Sequence, residues 1–185
     1  MKLMPEQASC VVQAGHLAYS RDPAFLFAVC GNGVVVTLRD KVREFGAMAH
    51  VVFPRIETGS RPTNFHADTA VRSLVKILCD LGTAGSMHME AQIFGGGHLN
   101  GMGRERAQDV VRKVRRILRE LEIKIVSEDV GGVLGRKIVF NTANGETAAV
   151  KTTRIRRMDW LPEWEHQIGV RRIAYARGGA DGTDS

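Results

Sequence analysis

A thiol and an imidazole brought together are the minimum equipment for nucleophilic acyl chemistry. The chain offers one such pair in a suggestive setting. Cys30 stands immediately before a glycine-rich turn, Gly31-Asn32-Gly33, and His50 lies near the middle of a second apolar stretch, residues 46–53. Between them runs the β-branched segment 34–38 and a charged connection, residues 39–44. Two adjacent strands joined this way carry a turn and a distant imidazole to the same end of a sheet.

Other chemistry finds less support. Gly31-Asn32-Gly33 and Gly95-Gly96-Gly97 could be read as phosphate cradles, but neither has the glycine spacing that opens a helix straight after a strand. They fit tight turns at strand ends better, and no nucleotide or other cofactor is expected. The histidines at 16, 50, 66, 88, 98 and 166 show no ligand spacing, and three cysteines at 10, 30 and 79 pair with nothing, so no metal site or disulfide framework is expected. The thiols suit a reduced, cytoplasmic setting.

Several elements must position the pair. With 185 residues, 44% of them hydrophobic and 25% charged, the composition is that of an ordinary globular domain. No apolar run reaches the ~20 residues a bilayer requires, so no membrane insertion is expected, and residues 1–9 lack a signal-peptide core. The pattern predicts strands over 10–20, 34–38, 46–53, 87–94, 123–126, 136–141 and 146–152. It also predicts a helix capped by Thr63 or Asn64, buried through Val71, Leu74, Val75, Leu78 and Leu81, and closed by Gly82. A second helix spans 104–121, with Val110, Val111, Val114, Ile117, Leu118 and Leu121 inward and arginines outward. Two helices among seven or eight strands, many in hairpins, predict an α/β sandwich with a mixed or antiparallel sheet. Residues 1–155 form the expected domain. Residues 156–185 are a basic extension whose end is expected to be disordered, and the segment 160–164 could dock on the body or on a partner.

The net charge of +6 gathers on residues 104–119 and beyond Lys151. No aromatic side chains interleave those arginines, so an acidic protein partner suits the charge better than nucleic acid.

The segment Gly46-Ala-Met-Ala-His50-Val-Val-Phe-Pro54 resembles the Gly-x-Met-x-His-x-x-Leu-Pro motif of the CheD family, bacterial chemoreceptor glutamine deamidases. Leu38-Arg39-Asp40, Ala67 to Val75, Ala91 to Gly96, Met102-Gly103, Glu128 to Gly132 and the 135–151 hairpin fit the same pattern in one colinear order. The resemblance implies a three-layer α/β fold, hydrolysis of receptor glutamine side chains to glutamate and ammonia, and two partners. These are the cytoplasmic region of a methyl-accepting chemoreceptor and a CheC-type phosphatase.

Such an enzyme needs a thiolate to attack the γ-carboxamide, a histidine to manage the proton, a hydroxyl to orient the imidazole, and backbone N–H groups for the oxyanion. The family supplies these as Thr-Leu-Gly-x-Gly-Ser-Cys, with the histidine seventeen residues after the cysteine. In this chain, counting back seventeen from His50 reaches Gly33, and Phe27 then occupies the threonine position. A rival register makes Cys30 the nucleophile but needs three extra residues before the following strand and puts Ala24 at the threonine position. The ungapped register is the simpler one, and neither supplies a hydroxyl. The candidate catalytic residues are therefore His50 and Cys30, with Gly33 at the position expected of the nucleophile. The expectation is a deamidase whose activity is weakened or lost and which acts by binding receptor or phosphatase. The alternative is an active cysteine deamidase using Cys30 and His50.

Overall fold

The computed structural model describes residues 8–98, 103–153 and 155. Nine strands and two α-helices are described: β1 (Ala8–Val11), β2 (Leu17–Ser20), β3 (Ala24–Cys30), β4 (Val34–Asp40), β5 (Phe45–Val51), α1 (Ala67–Asp80), β6 (Met89–Gly95), α2 (Arg104–Glu120), β7 (Lys124–Val130), β8 (Gly135–Asn141) and β9 (Thr147–Thr152). They form a four-stranded sheet in the order β1-β3-β8-β9 and a five-stranded sheet in the order β2-β5-β4-β6-β7. Each sheet is mixed: β1 runs parallel to β3 and β6 parallel to β7, while the other pairs are antiparallel. The fold is an α/β sandwich.

Strand alternation explains the layers. In β4 and β5, Val34, Val36, Leu38, Ala47, Ala49 and Val51 face the helices. There they meet Ala70, Val71, Leu74 and Leu78 of α1 and Val110, Val114, Ile117 and Leu118 of α2. The intervening Val35 and Met48 turn the other way and pack between the sheets with Leu26, Ala28, Cys30, Ile138 and Phe140. The first half of β4 is thus apolar on both faces, which is why Val34 to Val36 read as a continuous run. The helical stripes repeat at 3 and 4 residues, and each buries one face.

The structure corrects several boundaries. The strand predicted over 10–20 is two strands in different sheets, because the chain turns at Gly15 (φ +74°) and crosses from one layer to the other. With the apolar run before the glycine turn forming β3, that split brings the strand number to nine. The N-cap of α1 is His66 rather than Thr63 or Asn64, since Phe53 N–H donates to the Phe65 carbonyl and Phe53 bridges to His66. A turn closed by the His66 N–H on the Thr63 carbonyl (3.0 Å) precedes the cap, and His66 itself is extended (φ −97°, ψ 137°) where the helix starts. β6 begins at Met89 after one 3-10 turn, Ser86–His88. β7 runs past Val126 to Val130, because parallel pairing with β6 carries it through the charged Glu128-Asp129. Gly82 closes α1 in a positive-φ conformation (+105°), as its composition suggests. The extension 156–185 lies outside the described residues, as does Met102.

Candidate functional site

His50 reaches the site from β5, and its neighbour across the ladder is Val35 of β4. It shares a face with Met48, so the imidazole points into the layer between the sheets. The crossing from β1 to β2 wraps the same spot: Gly15 N–H donates to the His50 carbonyl (2.8 Å) and His50 N–H to the His16 carbonyl (3.1 Å). A cleft of about 460 Å³ opens beside the ring, lined among others by Val12, His16, Val29, Phe65 and Ile155.

Gly33 lies against the imidazole edge. A Cβ built on it would lie 2.8 Å from His50 Nε2 and 2.8 Å from the Val51 carbonyl oxygen. Any side chain at position 33 would therefore begin within touching distance of Nε2. The turn that presents Gly33 is pinned from β6: Gly96 N–H donates to the Gly33 carbonyl (2.7 Å) and Gly97 N–H to the Gly31 carbonyl (2.9 Å). Gly95 (φ +109°) permits this approach, since a Cβ there would collide with the Gly33 carbonyl oxygen.

His50 is 6% exposed, and burial pushes its pKa down to about 4. The Val12 backbone works in the opposite direction, while the neighbouring His16 adds to the depression. The ring is neutral at physiological pH. Its Nδ1 is buried with no hydrogen-bond partner, the atom that an orienting hydroxyl would satisfy. Phe27 stacks beside Phe25 (centroids 6.5 Å apart), on the opposite side of β3 from Leu26, Ala28 and Cys30.

Cys30 ends β3 and is 1% exposed. Its thiol donates a weak hydrogen bond to the Phe94 carbonyl (Sγ to O, 3.9 Å), and its sulfur lies 2.7 Å from where a Gly95 Cβ would stand. Burial pushes the thiol up to about 12, and the nearby Arg136 guanidinium only partly offsets this. Arg136 is itself buried, donating to the Gly131 and Leu134 carbonyls (2.7 Å each) and to Asp129 Oδ1 (2.8 Å). Among the described residues no hydrogen bond joins Cys30 to His50.

The model of the family described as CheD chemotactic sensory transduction matches residues 54–152, slightly more than half of the chain. A chemoreceptor glutamine deamidase CheD of Thermotoga maritima is 33% identical over 138 residues, covering 74% of this chain and 87% of the relative. The chain belongs to the CheD family. A probable chemoreceptor glutamine deamidase CheD 1 of Anaeromyxobacter dehalogenans is 30% identical, covering 75% of this chain and 82% of the relative. A probable CheD of Clostridium acetobutylicum is 30% identical, over 62% of this chain and 73% of the relative. The family-model match begins at Pro54, just past the strand that carries His50.

This CheD domain brings together Gly33 and His50, which counting back from the histidine had paired. It also recruits residues no motif had marked. His16 and Val12 come from the β1–β2 crossing, carried to His50 by the split at Gly15, and Phe65 comes from the approach to α1, tied to the end of β5 by the Val52 and Phe53 N–H groups on its carbonyl. The lone signal available was Gly15 itself, whose absent side chain leaves room for the Phe65 ring. Among the described residues no helix is long and apolar enough to cross a membrane.

Proposed function

We propose that this chain is a cytoplasmic chemotaxis protein that engages the glutamine-bearing cytoplasmic region of a chemoreceptor, with its deamidase chemistry weakened or lost. The observation that carries this reading is Gly33. It stands where a side chain would begin 2.8 Å from His50 Nε2, and it has no sulfur to offer. Loss of the nucleophile in a hydrolase of this kind costs on the order of 10⁶ in turnover. The unpartnered Nδ1 of His50 supports the same reading, since no hydroxyl stands at that atom to orient the ring for proton transfer. The domain then works by binding, with receptor or a CheC-type phosphatase as partner. The alternative, an active deamidase using Cys30 and His50, requires a thiolate that burial opposes.

The test is an ammonia-release and intact-mass assay on the receptor cytoplasmic fragment encoded in the same genome. The native chain is expected to bind the fragment without changing its mass. Turnover by the native chain that disappears in Cys30→Ala would replace this reading with the alternative. Gly33→Cys is the informative gain-of-function variant, although its Cβ must first displace the Val51 carbonyl.

A further inference from the structure

Two phenylalanines stand half-exposed on the surface next to His50. Phe53 and Phe65 are 37% and 39% exposed, with ring centroids 6.3 Å apart. Phe65 lines the cleft beside His50, whereas Phe53 lines a separate groove of about 290 Å³ between residues 53–57 and the first turns of α2. The groove continues along α2 into a second hollow of about 350 Å³, sharing Pro54, Arg55 and Asp109 as walls. The aromatic pair therefore joins the imidazole cleft to a long channel.

The channel carries a row of cations. Arg55, Arg106, Arg112, Lys113 and Arg116 line it, against Glu57, Glu105 and Asp109, and Asp68 and Glu120 just outside the lining pair with Lys113 and Arg116. Arg112 pairs with Asp109, Lys113 with Asp68 and Arg116 with Glu120. Arg55 and Arg106 make no ion pair among the described residues, and Arg106 lies over the Phe53 ring at 5.8 Å. A solvated helix face accounts for arginines alone. It does not account for two exposed aromatic rings placed between them and a cleft, since aromatic side chains and Arg are the ones enriched at protein interfaces.

We propose that this face, from Phe65 across Phe53 to the Arg55–Arg112 channel, docks an acidic amphipathic segment of a protein partner. Apolar side chains of that segment cover the two rings, and its carboxylates meet Arg55, Arg106 and the arginines of α2. The inference rests on the reading of a protein-binding role given above, and adds a second contact beyond the imidazole.

The experiment uses the full chain and two labelled synthetic helical peptides, one carrying leucine on one face and glutamate on the other, the second with lysine in place of glutamate. Fluorescence anisotropy should show binding of the glutamate peptide alone, weakened about tenfold or more by Arg55→Glu combined with Arg112→Glu, and likewise by Phe53→Ala. Salt near 1 M, where the screening length is about 3 Å, should weaken it further. Circular dichroism checks folding, and Arg55→Gln with Arg112→Gln serves if the reversal variant does not fold. Affinity unchanged in the charge variants overturns the proposal, as does duplex DNA competing as effectively as the peptide. The receptor fragment separates the two ideas. If it binds the charge variants as tightly as the native chain, the channel is wrong and the receptor reading stands. If the peptide docks through the channel but the fragment binds nowhere, the receptor reading fails alone.

Discussion

The two ends of the Gly31–Gly33 turn hold two groups in opposite surroundings, a thiol and an imidazole. At the β3 end is a sulfur with a carbonyl and a guanidinium around it, sealed in the layer between the sheets. At the β4 end is an imidazole whose facing residue is glycine. Cys30 and Gly33 are three positions apart, an odd offset, and a continuous strand would put them on opposite faces. The turn interrupts that parity, yet Cys30 still ends among core side chains and Gly33 against the histidine. A thiol close in sequence to a catalytic position is thus a poor guide to chemistry. What decides its reactivity is which groups the preceding strand packs it against.

The largest expected contrast is in thiol reactivity. A group held at about 12 carries about a thousandfold less thiolate at pH 8 than the same group at its ordinary 9.0. Iodoacetamide alkylation of Cys30, followed by peptide mass spectrometry, should therefore accelerate by about that factor when the chain is unfolded in urea. Equal rates in the folded and unfolded chain would mean that sulfur at the β3 end is available after all, and would erase the contrast between the two ends.

The imidazole end has its own signature. Folding lowers the His50 pKa from 6.5 to about 4, so between those values the unfolded chain binds the extra proton. Stability therefore rises with pH across that window, is complete above about 6.5 and is lost as pH falls towards 4. The shift corresponds to roughly 3 kcal/mol. Urea unfolding at pH 7 and pH 4.5 should show most of this loss in the native chain and little of it in His50→Gln, which cannot charge. Asp40 and Asp129 do not confuse the window. Burial raises the Asp40 carboxyl, but hydrogen bonds from Thr83 and from the Arg43 and Val42 N–H groups outweigh it. Arg136 holds Asp129 down. Both lose their contribution only below the ordinary carboxylate range. An equally steep acid loss in His50→Gln would show that the buried ring is not the source.

Much of this contrast was legible in the residues. The Val34 to Leu38 run, the His50 motif and the helical stripes placed β4, β5, α1 and α2 within a few residues of their true bounds, because each element's apolar period matches the layer it enters. Counting back from His50 paired it with Gly33. The walls of the cleft were not legible. Val12 and His16 come to His50 only through the layer crossing at Gly15, and Phe65 only through its pairing with residues 52–53; residues 10–20 carry apolar side chains on both sides of that crossing with no break in pattern. The charges of Glu128 and Asp129 hid the second half of β7, since an edge strand exposed to water needs no alternation. Phe53 and Phe65 are twelve residues apart, and only the bridge from Phe53 to His66 makes them a pair.

The smallest effects come from conservative substitutions at the two ends, and they should differ in kind. At Gly33, alanine adds a methyl group against the Val51 carbonyl and His50 Nε2, both backbone-fixed or buried. Overpacking of this sort costs about 1–3 kcal/mol, more than the 0.4–1 kcal/mol gained by restricting the unfolded chain. At Cys30, alanine removes one buried sulfur and leaves a small void, a loss of about 1 kcal/mol. Denaturant midpoints should therefore fall further for Gly33→Ala than for Cys30→Ala. The imidazole proton resonances should shift only in Gly33→Ala, because that methyl group presses on the ring while the missing sulfur lies against Phe94 and Gly95. Ring shifts of similar size in Cys30→Ala would mean that sulfur and imidazole are in contact, and the turn would then join the two groups instead of separating them.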